Sequence, residues 1–487
     1  MKSRRESPRT SSEPARWKIL SVLLVTVSMS LIGVSIINVA LPSMQFSLGA
    51  SESDLQWVLS GYAITFGVVL VAAGRAGDVL GRGGLYVFGV VLFCAASIAA
   101  GLASDISLLK VARFVQGLGS GILSPQIIGM IQHYFRGYDR ARAFGMYGTT
   151  VGLSMGLGPL LGGGIIALAG EAEGWRWTFF VNVPVSLIAI TLALRWFPRP
   201  LYAKRARPSS PRGALAAGRP AGLDLDPVGI ILLSSSIVII LLPFMTPPTT
   251  VWTWLLMPAG IVLVLVWVGW ELRYRNSGRD PMVDMAIFRS RGFSNGVVLA
   301  TIYFFGATGI WVLVALYMQQ ALGHTAFEAG VIGLPSAVCS AFTARWTGRH
   351  VTYYGRRIVT GGIFIAIIGM ASSILVIVLE TQGRASIWWL LGTLTLIGIA
   401  QGAVISPNQT ITLADAPIAY AGSTGGILQT GQRIGSAIGL GVITAIVFGV
   451  QAHFGWTTAI TVAFAVIIAI LLLCLAVSIG DMVQRRG

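Results

Sequence analysis

The chain has 487 residues, 55% of them hydrophobic and only 11% charged, with 34 Lys and Arg against 18 Asp and Glu for a net charge of +16. Mean hydropathy is +0.78, which excludes an ordinary soluble domain. Cys94, Cys339 and Cys474 all fall in apolar runs and the four histidines are scattered. No disulfide framework, metal cluster, catalytic centre or bound cofactor is therefore expected.

A helix needs about 20 apolar residues to cross a hydrocarbon core of roughly 30 Å. Fourteen runs meet that length in chain order. The first six are Trp17–Pro42, Leu55–Gly74, Leu85–Ala103, Leu108–His133, Ala143–Ala169 and Trp177–Phe197. A pair follows at Pro227–Met245 and Trp252–Leu272. The last six are Phe293–Leu322, Glu328–Trp346, Ile358–Leu379, Ile387–Asn408, Gly425–Gln451 and Trp456–Val483. The first run follows a basic stretch but is too long for a cleaved leader, so it reads as an uncleaved span.

Charge fixes the expected orientation. Alternate connections collect Arg75 and Arg82, Arg136 to Arg142, Lys204 to Arg219, Arg273 to Arg291, and Arg345 to Arg357. Both ends of the chain are basic as well, whereas the opposite connections hold only Lys110, Arg176 and Arg384. By the positive-inside rule both termini are cytoplasmic, in a multi-pass protein of the plasma membrane. The surplus charge then serves orientation and contact with anionic lipid. It is not a nucleic-acid footprint, because no basic segment is interleaved with aromatic residues.

Two pieces of the chain echo two others. Gly74-Arg75 and Gly81-Arg82 recur at the same spacing as Gly348-Arg349 and Gly355-Arg356. Gly117-x-x-x-Gly121-x-x-Ser124-Pro125-Gln126 is echoed by Gly398-x-x-x-Gly402-x-x-x-Ser406-Pro407-Asn408. The expected fold is an all-α integral membrane protein of 14 transmembrane spans. Two six-helix bundles related by internal repeat face each other, with two inserted central helices between them. The divisions fall at 1–197 for the first bundle, 198–226 for a cytoplasmic loop, 227–284 for the inserted spans and linker, and 285–487 for the second bundle. Asp226-Pro227 reads as a helix cap followed by its first residue.

Four segments resemble the major facilitator superfamily, in its fourteen-span drug:proton antiporter branch. They are Gly74-Arg75-Ala76-Gly77-Asp78-Val79-Leu80-Gly81-Arg82 after span 2, and Arg113-x-x-Gln116-Gly117 in span 4. Span 5 adds Gly148, Gly152, Gly156, Gly158, Pro159, Gly162 and Gly163, and Trp175-Arg176-Trp177 with Asn182-Val183-Pro184 enters span 6. The resemblance implies a secondary exporter of small amphipathic compounds, a monomer working by alternating access. Gly74, Arg75, Asp78, Gly81 and Arg82 would form its gating loop, with Asp78 a latch of the outward-facing state, and the span-5 glycines would shape its cavity. A carrier of lipid or lipid-linked metabolites is the alternative, and a membrane transferase a remote one. Such an enzyme needs clustered His, Asp or Glu at a membrane face, so no enzyme is expected.

Buried cations and amides supply the candidate substrate and coupling groups: Asn38, Arg113, Gln116, Gln126, Gln319, Gln320, Asn408, Gln432 and Arg433. A solitary charge in a span costs at least about 2.5–3.5 kcal/mol on insertion scales and is retained for use. The departure from the family pattern is span 1, where Gly33 stands in place of a membrane aspartate. Efflux is therefore expected to depend only weakly on the proton gradient, unless Asp78, Glu328 or Asp415 carries the proton. The orientation is directly testable. With the native cysteines removed, Ser209→Cys should resist an impermeant thiol reagent in intact cells, and labelling there would invert the topology.

Overall fold

A computed structural model of the chain describes residues 13–170, 172–202, 224–245 and 251–484. The basic residues Lys2, Arg4, Arg5 and Arg9, the run Lys204 to Arg219 with most of the 198–226 loop, and Arg485 and Arg486 lie outside the described residues. The helices are α1 (Glu13–Leu48), α2 (Glu52–Leu80), α3 (Arg82–Gly101), α4 (Ile106–Tyr134), α5 (Gly137–Ala169), α6 (Gly174–Phe180) and α7 (Asn182–Trp196). They continue with α8 (Pro227–Met245), α9 (Leu256–Asn276), α10 (Arg291–Leu316), α11 (Ala326–Tyr354), α12 (Arg356–Thr381) and α13 (Leu390–Ala414). A last helical stretch, Ala421–Gln484, contains one non-helical residue, Gly455, at φ 78° and ψ 173°.

That last stretch decides the span count. Thirteen described stretches are long and apolar enough to cross a membrane, and the last of them has 63 residues. An unbroken helix of that length would run about 95 Å, three bilayer cores. Gly455 turns the chain back, giving α14 (421–454) and α15 (456–484), and the total among the described residues is fourteen. The sixth span is α6 and α7 together. Pro184 has no N–H to continue the ladder, so the helix breaks one turn earlier, at Val181.

Several helices outrun the apolar runs that announce them. α1 begins four residues before Trp17 and continues through Pro42 to Leu48. The segment expected to be a gating loop after span 2 is instead the last two turns of α2, and its repeat is the end of α11. Leaving hydrocarbon does not end a helix; a residue with positive φ does. Gly81 (φ 107°) and Gly355 (φ 54°) supply those stops, in conformations that cost a residue with a Cβ dearly. At the opposite ends, capping boxes start α2 (Ser51 with Asp54) and α11 (Thr325 with Glu328).

Within each bundle the same glycine spacing does the same work. Gly117 and Gly121 of α4 lie against the backbone of α2 at Tyr62 and Phe66. Gly398 and Gly402 of α13 lie against the backbone of α11 at Ser336 and Ser340. Without water between helices, such close backbone approach supplies much of the packing energy.

The bundles meet most tightly where α5 crosses α11. A Cβ built on Gly348 would stand 2.5 Å from Gly145 Cα and 3.0 Å from Ala141 O, both immovable backbone. Along the same line Gly148 faces Ser406 and Ala344, Gly152 faces Ser340, and Gly156 faces Ala337. A hydrogen bond from Thr149 to Ala341 O (3.0 Å) stitches the crossing, and one from Ser406 of α13 to Phe144 O (2.8 Å) ties α5 to the next helix of the second bundle. These contacts run from mid-depth to the end bearing Gly81 and Gly355, hereafter the basic end. Overpacking this crossing costs about 1–3 kcal/mol, which converts to roughly a 5- to 150-fold shift toward separated bundles. Gly348→Val should therefore raise the maleimide reactivity of a cysteine introduced as Ser406→Cys. Unchanged reactivity would mean that the crossing does not hold the bundles together.

Candidate functional site

At the basic end one carboxylate joins the bundles. Asp78, on the last turn of α2, has a side chain only 1% exposed. Its Oδ1 accepts from Arg82 Nη2 (2.6 Å) and from the Gly422 backbone N–H (2.9 Å). Its Oδ2 accepts from the Ser423 N–H (2.9 Å) and the Ser423 hydroxyl (3.0 Å). Asp78 thus sits on the amino terminus of α14, where orphan N–H groups and the helix dipole favour an anion. Charge-assisted hydrogen bonds of this kind contribute roughly 1.5–3 kcal/mol each. Arg82 also donates to Ile418 O (3.3 Å), and Gln132 to Ala421 O (3.2 Å), so the latch spans several turns.

The rest of the motif divides its labour. Gly74 lets α2 touch the backbone at Gly422 and Ser423, and Gly81 ends the helix. Arg75 turns away from Asp78: its guanidinium, 1% exposed, donates to Asp224 O (3.2 Å) and Asp280 O (3.4 Å) beside the inserted helices. The Arg136–Arg142 cluster is not on Asp78 either; Arg142 stacks on Trp17 at 4.8 Å. Among the described residues the second half has no copy of this contact, and Thr352 stands where the first half has Asp78. Arg356, the counterpart of Arg82, is buried and pairs with Asp481 at 2.6 Å, while also donating to Asn408.

At mid-depth the two bundles bring a cation against an aromatic face. Arg433 of α14 is exposed, and its guanidinium lies 4.5 Å from the centre of the Phe66 ring on α2. Tyr62 and Tyr147 stand within electrostatic reach of it. Gln432 beside it is half-buried, and Gln429, one turn earlier, is buried with its Oε1 unpartnered. An exposed cation framed by aromatic rings suits a flat, polarisable or anionic group.

The other candidates lie elsewhere. Arg113 is buried, over the Tyr62 ring at 4.4 Å, donating to Val58 O (3.1 Å) and to Gln116, which in turn donates to Ser97 (2.8 Å). It therefore ties α4 to α2 and α3, and it touches the mid-depth cluster through Tyr62. Gln126 is fully buried, donating to Ala73 O (2.7 Å) against Gly77. Asn408 is buried between Arg356 and Gly296 O, to which it donates at 3.0 Å. Asn38, Gln319 and Gln320 are exposed, the last two on a wide turn closing α10.

In span 5, Gly148, Gly152 and Gly156 face the second bundle, whereas Gly158 and Gly162 face Ser35 and Ile36 of α1. Pro159 lies between the two sets, and Gly163 faces open space. A Cβ on Gly33 would meet Asn182 Oδ1 (3.6 Å) and Phe93 (3.7 Å), so that position looks toward the start of span 6 and not toward Asn38. Sequence reading missed Tyr147 and Phe66, ordinary aromatics in apolar runs, and the receptor of the latch at Gly422-Ser423. A pair of small residues opening a helix was the available signal for the latter.

The residues matched by the family model described as Major Facilitator Superfamily are 23–440. Among relatives, a probable actinorhodin transporter of Streptomyces coelicolor is 30% identical over 438 residues, 89% of this chain and 73% of that protein. A tetracenomycin C resistance and export protein of Streptomyces glaucescens is 28% identical over 444 residues, 90% and 77% of the two chains. Among solved structures, that of the human organic anion transporter MFSD10 (TETRAN) superposes with a TM-score of 0.67 at 14% identity, covering 95% of this chain and 99% of that one. With fourteen spans in two glycine-packed bundles, this chain belongs to the major facilitator superfamily and is a multi-pass membrane transporter, not an enzyme.

Proposed function

We propose that this chain exports small amphipathic compounds, antibiotics among them, as a fourteen-span member of the drug:proton antiporter branch. It works as a monomer of the plasma membrane, with its basic end and both termini in the cytoplasm and anionic lipid around that end. The bundles rock about the mid-depth cluster, and Asp78 on α14 holds the cytoplasmic side shut. The observation that carries the reading is Arg433, an exposed cation stacked across the bundle boundary on Phe66. That face suits planar aromatic compounds, and two relatives are named as an actinorhodin transporter and a tetracenomycin C resistance and export protein. The orientation is proposed from the charge bias of the connections, which place Arg75, Arg82, Arg136 to Arg142 and Arg345 to Arg357 at one end and only Lys110, Arg176 and Arg384 at the other.

The test is expression in a drug-sensitive, efflux-deficient host. Resistance to at least one aromatic antibiotic should rise, and Arg433→Ala should erase the gain at unchanged membrane level. A panel with no protected compound would defeat the reading. Arg113 gives a second measurement. Arg113→Ala should abolish efflux while the protein remains in the membrane. Arg113→Lys should restore only part of it, because an ammonium cannot serve Val58 O and Gln116 while stacking on Tyr62. Wild-type efflux in the alanine variant would remove Arg113 from the mechanism.

A further inference from the structure

The inserted helices α8 and α9 carry two buried carboxylates that the transport cycle described above leaves unused. Asp226 is 0% exposed and Glu271 1% exposed. Each has one oxygen satisfied and one not. Asp226 Oδ1 accepts from the Gly229 N–H (3.0 Å), capping α8, and from Trp270 Nε1 (2.9 Å). Glu271 Oε2 accepts from the Val283 N–H (3.3 Å). Asp226 Oδ2 and Glu271 Oε1 are buried and accept no hydrogen bond of ordinary geometry, although the indole N–H of Trp267, also buried and unpaired, lies beside Glu271. They also converge on one spot, because a Cβ built on Gly229 would press on both.

Two ionised carboxylates do not share such a place. Buried like charges at this range repel, and one of the pair keeps its proton. One proton between Oδ2 and Oε1 supplies the missing donor for one oxygen and the missing acceptor for the other. We infer that Asp226 and Glu271 form a proton-binding site that holds a single proton between these two oxygens and reports its occupancy to the gate through Arg75.

The surroundings fit a site of this kind. From α2 the facing charge is Arg75, bound to the carbonyl oxygens of Asp224 and Asp280. From α9 it is Tyr274, which donates to Asp224 Oδ1 (2.5 Å) and lies under Arg279 (5.4 Å). Arg275 is engaged with Asp284 at 2.8 Å. From α14 the packing residue is the apolar Ile427. When the proton leaves to water at the basic end, two carboxylates remain and Arg75 is the cation within reach to compensate them. Moving Arg75 moves the turn of α2 that carries Asp78, three residues on. Release of the proton therefore loosens the latch, and the proton-bound pair corresponds to the closed basic end. The three single carboxylates named from the sequence are built otherwise: Asp78 accepts five hydrogen bonds, Glu328 closes a capping box, and Asp415 is exposed.

The role in the gate rests on the exporter reading, but the proton itself does not, so two measurements separate them. The first is infrared spectroscopy of the purified full-length protein at neutral pH. A carboxylic-acid C=O band that shifts in deuterium oxide is expected, lost in Glu271→Gln and in Asp226→Asn, and indifferent to exchange of KCl for NaCl. Absence of the band, its survival in both variants, or its abolition by sodium would overturn the site. The second uses Ser406→Cys on a cysteine-free background. Its alkylation should rise roughly fivefold as pH is raised through the titration of that band, the equivalent of a small bias on the gate. In Glu271→Gln, where an amide N–H replaces the shared proton, alkylation should stay low and independent of pH. A pH response that persists in Glu271→Gln would overturn the link to the gate. Drug efflux from proteoliposomes is scored apart, and its failure with the band and alkylation results intact would count against the exporter reading alone.

Discussion

The structure depends on bare backbone meeting bare backbone where α5 crosses α11. Gly145 and Gly348 admit no side chain between the two helices, and the hydrogen bonds of Thr149 and Ser406 are short only because of that approach. In lipid there is no hydrophobic drive between helices, so dispersion at close range and hydrogen bonds across the seam must hold the bundles. The seam is also easily sheared. Glycine faces slide without interlocking, and few directional bonds need to break when the bundles tilt. A crossing made of interdigitated leucines would be firmer and could not rock.

That compliant seam explains why the polar contacts gather at its basic end. Asp78 accepts from Arg82 and from α14, two of the donors being orphan N–H groups of α14 that need a partner in any case. Breaking these contacts would leave a buried anion that must be rehydrated. The second bundle uses its equivalent arginine differently. Arg356 is spent inside its own half on Asp481 and Asn408, with Asn295 also donating to Asp481 at 2.9 Å. One half therefore carries the lock while the other is braced.

The architecture was legible in the sequence because it follows from lengths and periods. Apolar runs of twenty residues and a charge bias repeated at every connection leave one fold class open, and the Gly-x-x-x-Gly repeats mark the helix faces that touch. The ends of helices were less legible, since hydropathy records where hydrocarbon stops and Gly81 and Gly355 record where the helix stops. The site was the least legible. Asp78 is recognisable as a motif, yet its receptor is two backbone N–H groups, and a backbone N–H has no letter in a sequence. Asn408 and Gln126 look like cavity amides by composition and are tied into helix packing by geometry. Gly33 is legible as the position of a missing aspartate, while its neighbour Asn182 comes from a break in span 6 that spacing does not show.

The inserted helices follow from the same constraint on buried charge. α8 packs on α2 through the Ser234 hydroxyl, which donates to Val68 O (3.4 Å), and through Leu241 against Gly67, and it reaches α14 through Phe244 against Gly441. It thus bridges the two helices joined by the latch, one from each bundle, without belonging to either. A hairpin in that position would oppose the rocking of the bundles if it were held to both by polar contacts at every level. Its charged contacts are instead concentrated at the basic end, around Arg75, Asp226 and Glu271, and farther along it meets α2 and α14 through one hydroxyl, apolar side chains and glycines. The hairpin can therefore follow α2 while sliding on α14, and the charges at its foot lie where motion of the gate is first felt.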